Sequence, residues 1–121
     1  MTCVPGFLPP VMTDRKEVSH KAARRSWPQS RQYRALHHVR TWGDAVPDGK
    51  TTGFKRAVTL EDGETVVFSW IVRPDRATSE ACAADMKTDA RWKDMEADIR
   101  DSVGSARGTL GGFETILDER A

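Results

Sequence analysis

Residues 64–72 read ETVVFSWIV, the strongest apolar run in the chain, and their reading decides the fold. Val66, Val67, Ile71 and Val72 are β-branched, Phe68 and Trp70 are aromatic, and Pro74 follows closely. Such residues suit a pleated, buried surface, so the run predicts a strand over Thr65–Val72, central in its sheet. Alternation then puts Phe68 and Trp70 on one face and Val67, Ser69 and Ile71 on the other. One of these faces should meet helices, and the other a partner subunit or a cavity.

Beyond Pro74, Asp75 is placed to cap a helix in which Ala77, Ala81 and Ala84 share a face with Cys82 beside them. Trp92, Met95 and Ile99 extend or repeat that face. Residues 102–108 are small and glycine-containing linkage, and Leu110–Leu117 (LGGFETIL) predicts a last strand. On the other side, Glu61-Asp62-Gly63-Glu64 is a turn, Thr51–Leu60 shows no decisive periodicity, and Pro47-Asp48-Gly49 suits a type I turn. Ala35–Trp42 (ALHHVRTW) reads as a strand ended by Gly43-Asp44. Thr13 or Asp14 is the expected cap of a first helix, with Glu17 in the capping-box position and Val18, Ala22, Ala23 and Trp27 as a thin apolar stripe. Pro28 should kink or interrupt that helix, with a second piece running to about Arg34. Cys3–Met12 begins as a strand that ends or becomes an edge at Pro9 and Pro10.

The resulting order is strand, helix, strand, strand, helix, strand. It predicts an α+β fold resembling a ferredoxin-like βαββαβ unit, a four-stranded antiparallel sheet with two helices on one face. The uncovered face then calls for a second copy of the chain.

At 121 residues the chain fits one domain spanning 1–121, and 38% apolar against 31% charged residues implies a core small for its length. Its net charge of +1 hides an uneven spread. Arg15–Arg40 holds eight Lys/Arg against one acid, whereas Asp75–Asp101 holds eight acids against five bases. The basic stretch could meet RNA phosphates, but a solvated helix face is its commoner meaning, so nucleic acid is not the expected partner. Cys3 and Cys82 lie in no metal or redox spacing, no stretch approaches the ~20 apolar residues of a membrane span, and GFLPPVM is too short and proline-broken for a signal-peptide core. These features point to a cytoplasmic protein with no membrane attachment.

Chemistry-bearing motifs are few. No serine has the GxSxG context, and phosphate-binding glycine loops and Rossmann signatures are missing. Asp44 and Asp48 read as turn formers rather than an acid and base pair. Adjacent His37 and His38 point to opposite faces of a strand and cannot jointly hold a metal through one face; His20 should face solvent, and no metal or cofactor is expected. Trp42, at a strand end, can pack its indole inward and offer its NH to a ligand. Lys55, Arg56 and Arg107 could place positive charge at a cavity rim.

WGDAVPDGK, FKRAV at 54–58, ETVVFSWIV at 64–72 and GGFETILDE at 111–119 resemble the YbaA-like family of uncharacterised bacterial proteins, in the dimeric α/β-barrel superfamily. The likeness is dense over 35–76 and 111–119. The family pattern usually has an aromatic near position 30, a glycine at 34, an acid at 40 and a phenylalanine near 103, where this chain has Ser30, Arg34, Arg40 and Val103. The resemblance implies a homodimer with two sheets packed face to face, forming a dimeric α/β barrel. It also implies a small organic ligand between sheet and helices, with cofactor-independent, monooxygenase-like chemistry if the protein is an enzyme. The candidate ligand contacts are Trp42, Phe68, Trp70, His37, His38 and Arg56. The rival readings are an RNA-binding module using residues 15–40 and a non-catalytic structural or interaction protein.

Overall fold

A computed structural model describes residues 2–90, 92 and 107–121 of the chain. Among these, five strands form one antiparallel sheet accompanied by three helices: β1 (Cys3–Leu8), β2 (Pro10–Met12), α1 (Lys16–Gln32), β3 (His37–Trp42), α2 (Phe54–Ala57), β4 (Glu64–Val72), α3 (Arg76–Met86) and β5 (Thr109–Glu114). The run that opens the sequence reading is β4, and it is central, with β3 on one side and both β1 and β2 on the other. β1 in turn pairs with β5.

Five strands stand where the sequence predicts four because Pro9 divides the first. The division is local: register against β4 runs unbroken from Cys3–Arg73 through Gly6–Trp70 to Met12–Glu64. Cys3 exchanges both backbone hydrogen bonds with Arg73, so the polar groups of odd-numbered residues here face β4. Pro5 and Pro9 therefore withhold their missing N–H from the β4 ladder, which is interrupted at both points, although the Pro9 carbonyl still accepts from Val67 N at 3.0 Å. Pairing to β5 stops at Leu8–Thr109, so Pro10, whose missing donor faces that side, costs no ladder bond. The expected edge at Pro9-Pro10 is thus real on the β5 side, while the other side remains paired.

Register also assigns the faces. His38, Arg40 and Trp42 lie opposite Ile71, Ser69 and Val67, and Phe7 lies opposite Ser69. From this face Arg40 reaches Ser19 of α1, and Arg73 reaches both the end of α1 and Cys82 of α3. Both long helices therefore cover the odd face of β4, as the sequence pattern predicts. Phe68 and Trp70 lie on the opposite face, where Phe54 of α2 meets Phe68 with ring centroids 5.9 Å apart. Thr51–Leu60, without a clear pattern in the sequence, contributes that short helix and the buried Val58.

Several local expectations change. Neither Thr13 nor Asp14 caps α1, which starts after a 3-10 turn at Thr13–Arg15 with no side-chain cap. Thr13 instead gives both its backbone N–H (2.8 Å) and its hydroxyl (3.0 Å) to the Gly63 carbonyl, tying the helix entry to the turn before β4. Pro28 does not interrupt α1, which continues to Gln32. The intrahelical bond it removes, a loss of about 3 kcal/mol in an isolated helix, is offset by packing through the buried Ser19, Ala22 and Ser30. In α3 the Asp75 cap forms, its carboxylate accepting from Thr78 N at 2.7 Å. Ala77, Ala81 and Ala84, however, are exposed, and Cys82 is the residue that turns inward because Arg73 awaits its sulfur. Trp92 packs against Cys82 and Tyr33. Met95, Ile99 and most of the 102–108 linkage lie outside the described residues. The last strand ends at Glu114, short of the predicted Leu117.

α1 ends in a Schellman arrangement: Ala35 N donates to Ser30 O and Arg34 N to Arg31 O, with Arg34 left-handed at φ 61°. Glycine is the residue that position favours. Arg34→Gly is expected to raise unfolding free energy by about 0.5–1 kcal/mol, relief of left-handed strain outweighing the greater freedom of glycine in the unfolded chain, as read by urea denaturation. Arg73→Met removes the donors to the Ser30 and Tyr33 carbonyls and should cost about 2–4 kcal/mol in the same measurement.

Candidate functional site

A recess on the helix side of the sheet lies between α1 and β3. It is a groove of about 580 Å³, whose described lining includes Lys16, His20, Ala23, Arg24, Trp27 and Pro28 from the helix and Leu36, His37, His38, Arg40 and Trp42 from the strand side. Strand alternation presents His38, Arg40 and Trp42 toward the helix in succession, roughly 7 Å between neighbours. Helical spacing brings Lys16, His20, Ala23 and Trp27 over them.

Each of those strand residues has a helix partner. The Trp27 ring stacks on His38 with centroids 6.3 Å apart and planes 30° from parallel. The Arg40 guanidinium donates to the Ser19 hydroxyl through Nε at 3.1 Å and Nη2 at 2.6 Å. Lys16 Nζ sits over the Trp42 ring, 5.6 Å from its centroid, a cation–π arrangement. Indole, imidazole and guanidinium planes thus alternate along one wall.

The groove's charge is one-sided. Three Lys/Arg residues line it, together with all three histidines of the chain, and among the described residues its lining has no carboxylate. Burial lowers the pKa of Arg40 from its ordinary value. Burial also pushes His38 below the ordinary histidine value of 6.5, with the positive charges of Arg40, Arg73 and His37 adding to the effect.

Of the remaining candidate residues, His37 touches the groove and the others lie elsewhere. Phe68 and Trp70 form a tilted aromatic pair, centroids 5.2 Å apart, on the far face of the sheet. His37 lies at the groove's outer lip, on the sheet face opposite to His38. Arg56, in α2, donates to the Asp48 carbonyl at 3.2 Å, and neighbouring Lys55 pairs with the Asp48 carboxylate at 3.1 Å. Arg107 is held by Glu64 in a two-pronged pair, Nη1–Oε1 2.7 Å and Nη2–Oε2 2.5 Å, which keeps the Glu64 carboxyl below the usual carboxylate range. The three cations expected at a cavity rim are therefore engaged with local partners. Trp42 belongs to the groove, while Asp48 organises the turn before α2.

Sequence reasoning overlooks Arg40, Lys16 and Trp27 as site residues. The available signal was the i, i+2 set His38, Arg40, Trp42 on a strand whose alternation was already assigned. Among the described residues no group of three or more His, Cys, Asp or Glu is arranged to hold a metal ion, and no helix is long and apolar enough to cross a membrane.

The sequence also has known relatives. A family model described as "Protein of unknown function (DUF1428)" matches residues 2–101. The chain belongs to the DUF1428 family. It is 37% identical over 119 residues, 98% of this chain and 100% of the relative, to "Uncharacterized protein YbaA" of Escherichia coli strain K12. The same identity and coverage hold for the proteins of that name from Escherichia coli O157:H7 and Shigella flexneri. The DUF1428 match spans the whole α1/β3 groove and the whole of β4.

Because the folded chain holds His38 neutral more firmly than the unfolded chain does, the unfolded state takes up the extra proton as pH falls below about 6.5. Stability is full above that value and is lost progressively down through the depressed folded-state pKa. Thermal melts from pH 8 to pH 5 should show this acid-side fall, and His38→Gln should make it shallower; an unchanged slope would remove His38 as its source.

Proposed function

We propose that the protein is a homodimer that binds a small organic molecule in the groove between α1 and β3. The observation that carries the ligand reading is the groove itself, whose volume of about 580 Å³ falls among small-molecule sites and whose walls combine indoles with a few polar groups. The strand order, with β4 and β1 inside and β3 and β5 outside, supports a ferredoxin-like sheet.

The dimer reading rests on the sheet's other face. Phe68 is 48% exposed and Phe113 63% exposed there, and α2 reaches only one end through Phe54. The Phe113 ring lies over Gly6 and Gly111, where an added Cβ would stand 3.4 and 3.5 Å from its Cε2 atom. A broad aromatic and glycine-floored patch of this kind suits another sheet, and the resemblance to dimeric α/β barrels supplies the occupant: a second copy of this chain. On this division Trp42 and His38 serve the ligand, while Phe68 and Trp70 serve the interface. Cofactor-independent oxygenation, in which the bound substrate itself reacts with dioxygen, is the catalytic extension of the same reading. Oxygen uptake with a bound ligand tests it.

Sedimentation equilibrium at micromolar concentration should give a dimer, and Phe68→Lys should give a folded monomer. A monomeric wild type would sink the interface. A panel of aromatic small molecules should raise the melting temperature of the wild type, as ligand binding to the folded state requires, and raise it less in Trp27→Ala. A panel that moves neither protein would count against the groove as a ligand site.

A further inference from the structure

We propose that the α1/β3 groove is specific for an organic anion, a carboxylate carried on an aromatic or alicyclic ring, with Arg40 receiving the carboxylate. This rests on the small-molecule reading of the groove and names the ligand's chemical class.

Three observations carry it. The first is the state of Arg40, a half-buried guanidinium whose side-chain hydrogen bonds among the described residues go to one neutral acceptor, the Ser19 hydroxyl. A guanidinium has five N–H donors in a planar fork matched to a carboxylate, and taking such a charge partly out of water is costly without a counter-charge. Ser19 occupies the Nε and Nη2 donors, and no nitrogen of Arg40 is a buried atom lacking a partner, so the rest of the fork opens toward the groove.

The second observation is the absence of internal neutralisation. Lys16 and Arg24 stand on the helix side of the groove and Arg40 on the strand side, with His20, His37 and His38 around them and no carboxylate among the described lining residues. In the depression around α2 the protein handles charge differently: Lys55 and Arg56 share their site with Asp48, Glu61, Asp62 and Glu64. Like charges gathered on facing low-dielectric walls repel one another, and an incoming anion relieves that repulsion for the whole set.

The third is shape. Inorganic phosphate would leave most of about 580 Å³ unfilled, and the flanks of Arg40 are aromatic. On the strand, His38 under Trp27 lies on one side of Arg40 and Trp42 under Lys16 lies on the other. A ring attached to a carboxylate held at Arg40 therefore meets an indole in either direction, with Leu36, Ala23 and Pro28 completing the apolar lining.

The test uses the full-length protein with 1-naphthoate and its neutral isostere 1-naphthamide. Binding is followed by calorimetry at low and moderate salt, and the indole N–H resonances of the four tryptophans report the location. Naphthoate should bind at least ten-fold more tightly than the amide, lose part of that advantage as salt rises, and shift Trp27 and Trp42 rather than Trp70. Arg40→Gln should lower the ratio of naphthoate to amide affinity about ten-fold, to near one. Should that variant fail to fold, Lys16→Ala with Arg24→Gln, both exposed, should lower the ratio of naphthoate to amide affinity several-fold. Equal affinities for acid and amide in the wild type would overturn the anion assignment while leaving the groove a small-molecule site. Inorganic phosphate or a short single-stranded RNA that displaces naphthoate at lower concentration than naphthoate itself requires would also overturn it. Shifts confined to Trp70, or no binding of either probe, would remove both the anion assignment and the groove.

Discussion

The fold depends on one buried cation. Arg73, immediately past the end of β4 and only 4% exposed, gives Nη1 to the carbonyls of Ser30 and Tyr33 at 3.3 and 3.1 Å and Nη2 to Cys82 Sγ at 3.2 Å. Its backbone meanwhile exchanges both hydrogen bonds with Cys3. One residue therefore fixes the first strand, the central strand, the end of α1 and the inward face of α3 relative to one another. The charge is tolerated there because the carbonyls belong to a helix C-terminus, where unsatisfied acceptors concentrate partial negative charge. Cys82 completes the arrangement: burial pushes its thiol up, and Arg73 opposes that push.

With the two helices pinned to one side of β4, the opposite side is left to whatever the connections can supply. The segment between β3 and β4 supplies α2, whose Phe54 covers part of Phe68 and whose end buries Val58. That leaves Trp70 half-buried and Phe113 exposed on that side of the sheet. Pro5 and Pro9 serve the same design from the sheet's interior. Each lacks a donor toward β4, yet the register passes both without slipping, because a one-residue slip would carry Phe7 and Val11 off the helix face.

How far the sequence disclosed this follows from the range of the forces involved. Strands over 37–42, 64–72 and 109–114, the Asp75 cap and the division of Phe68 and Trp70 from Val67 and Ser69 depend on residues adjacent or nearly so, and they were legible. The continuous helix through Pro28 and the uncapped start of α1 were not, because contacts with Gly63 and with the sheet decide them. The alanine face of α3 misled for a related reason. Alanine favours a helix without specifying what it packs against, and the long-range Arg73–Cys82 contact sets the helix rotation. The groove was half legible: Trp42 and His38 stood out by type, whereas Arg40 looked like any member of a basic stretch until α1 folded over it.

Arg40 and Arg73 face the same side of the sheet, one on β3 and the other just past the end of β4, and the protein treats them in opposite ways. Arg73 has two carbonyls on Nη1 and a sulfur on Nη2 and is closed off from solvent. Among the described residues Arg40 has one hydroxyl, aromatic flanks and further positive charge across the groove. If both were structural, the economical solution for Arg40 would be a carboxylate on α1 in place of Ser19, one atom group away from the guanidinium it already touches. A hydroxyl there positions the fork without neutralising it. That difference separates a cation whose donors are closed within the chain from one whose fork stays open to the groove.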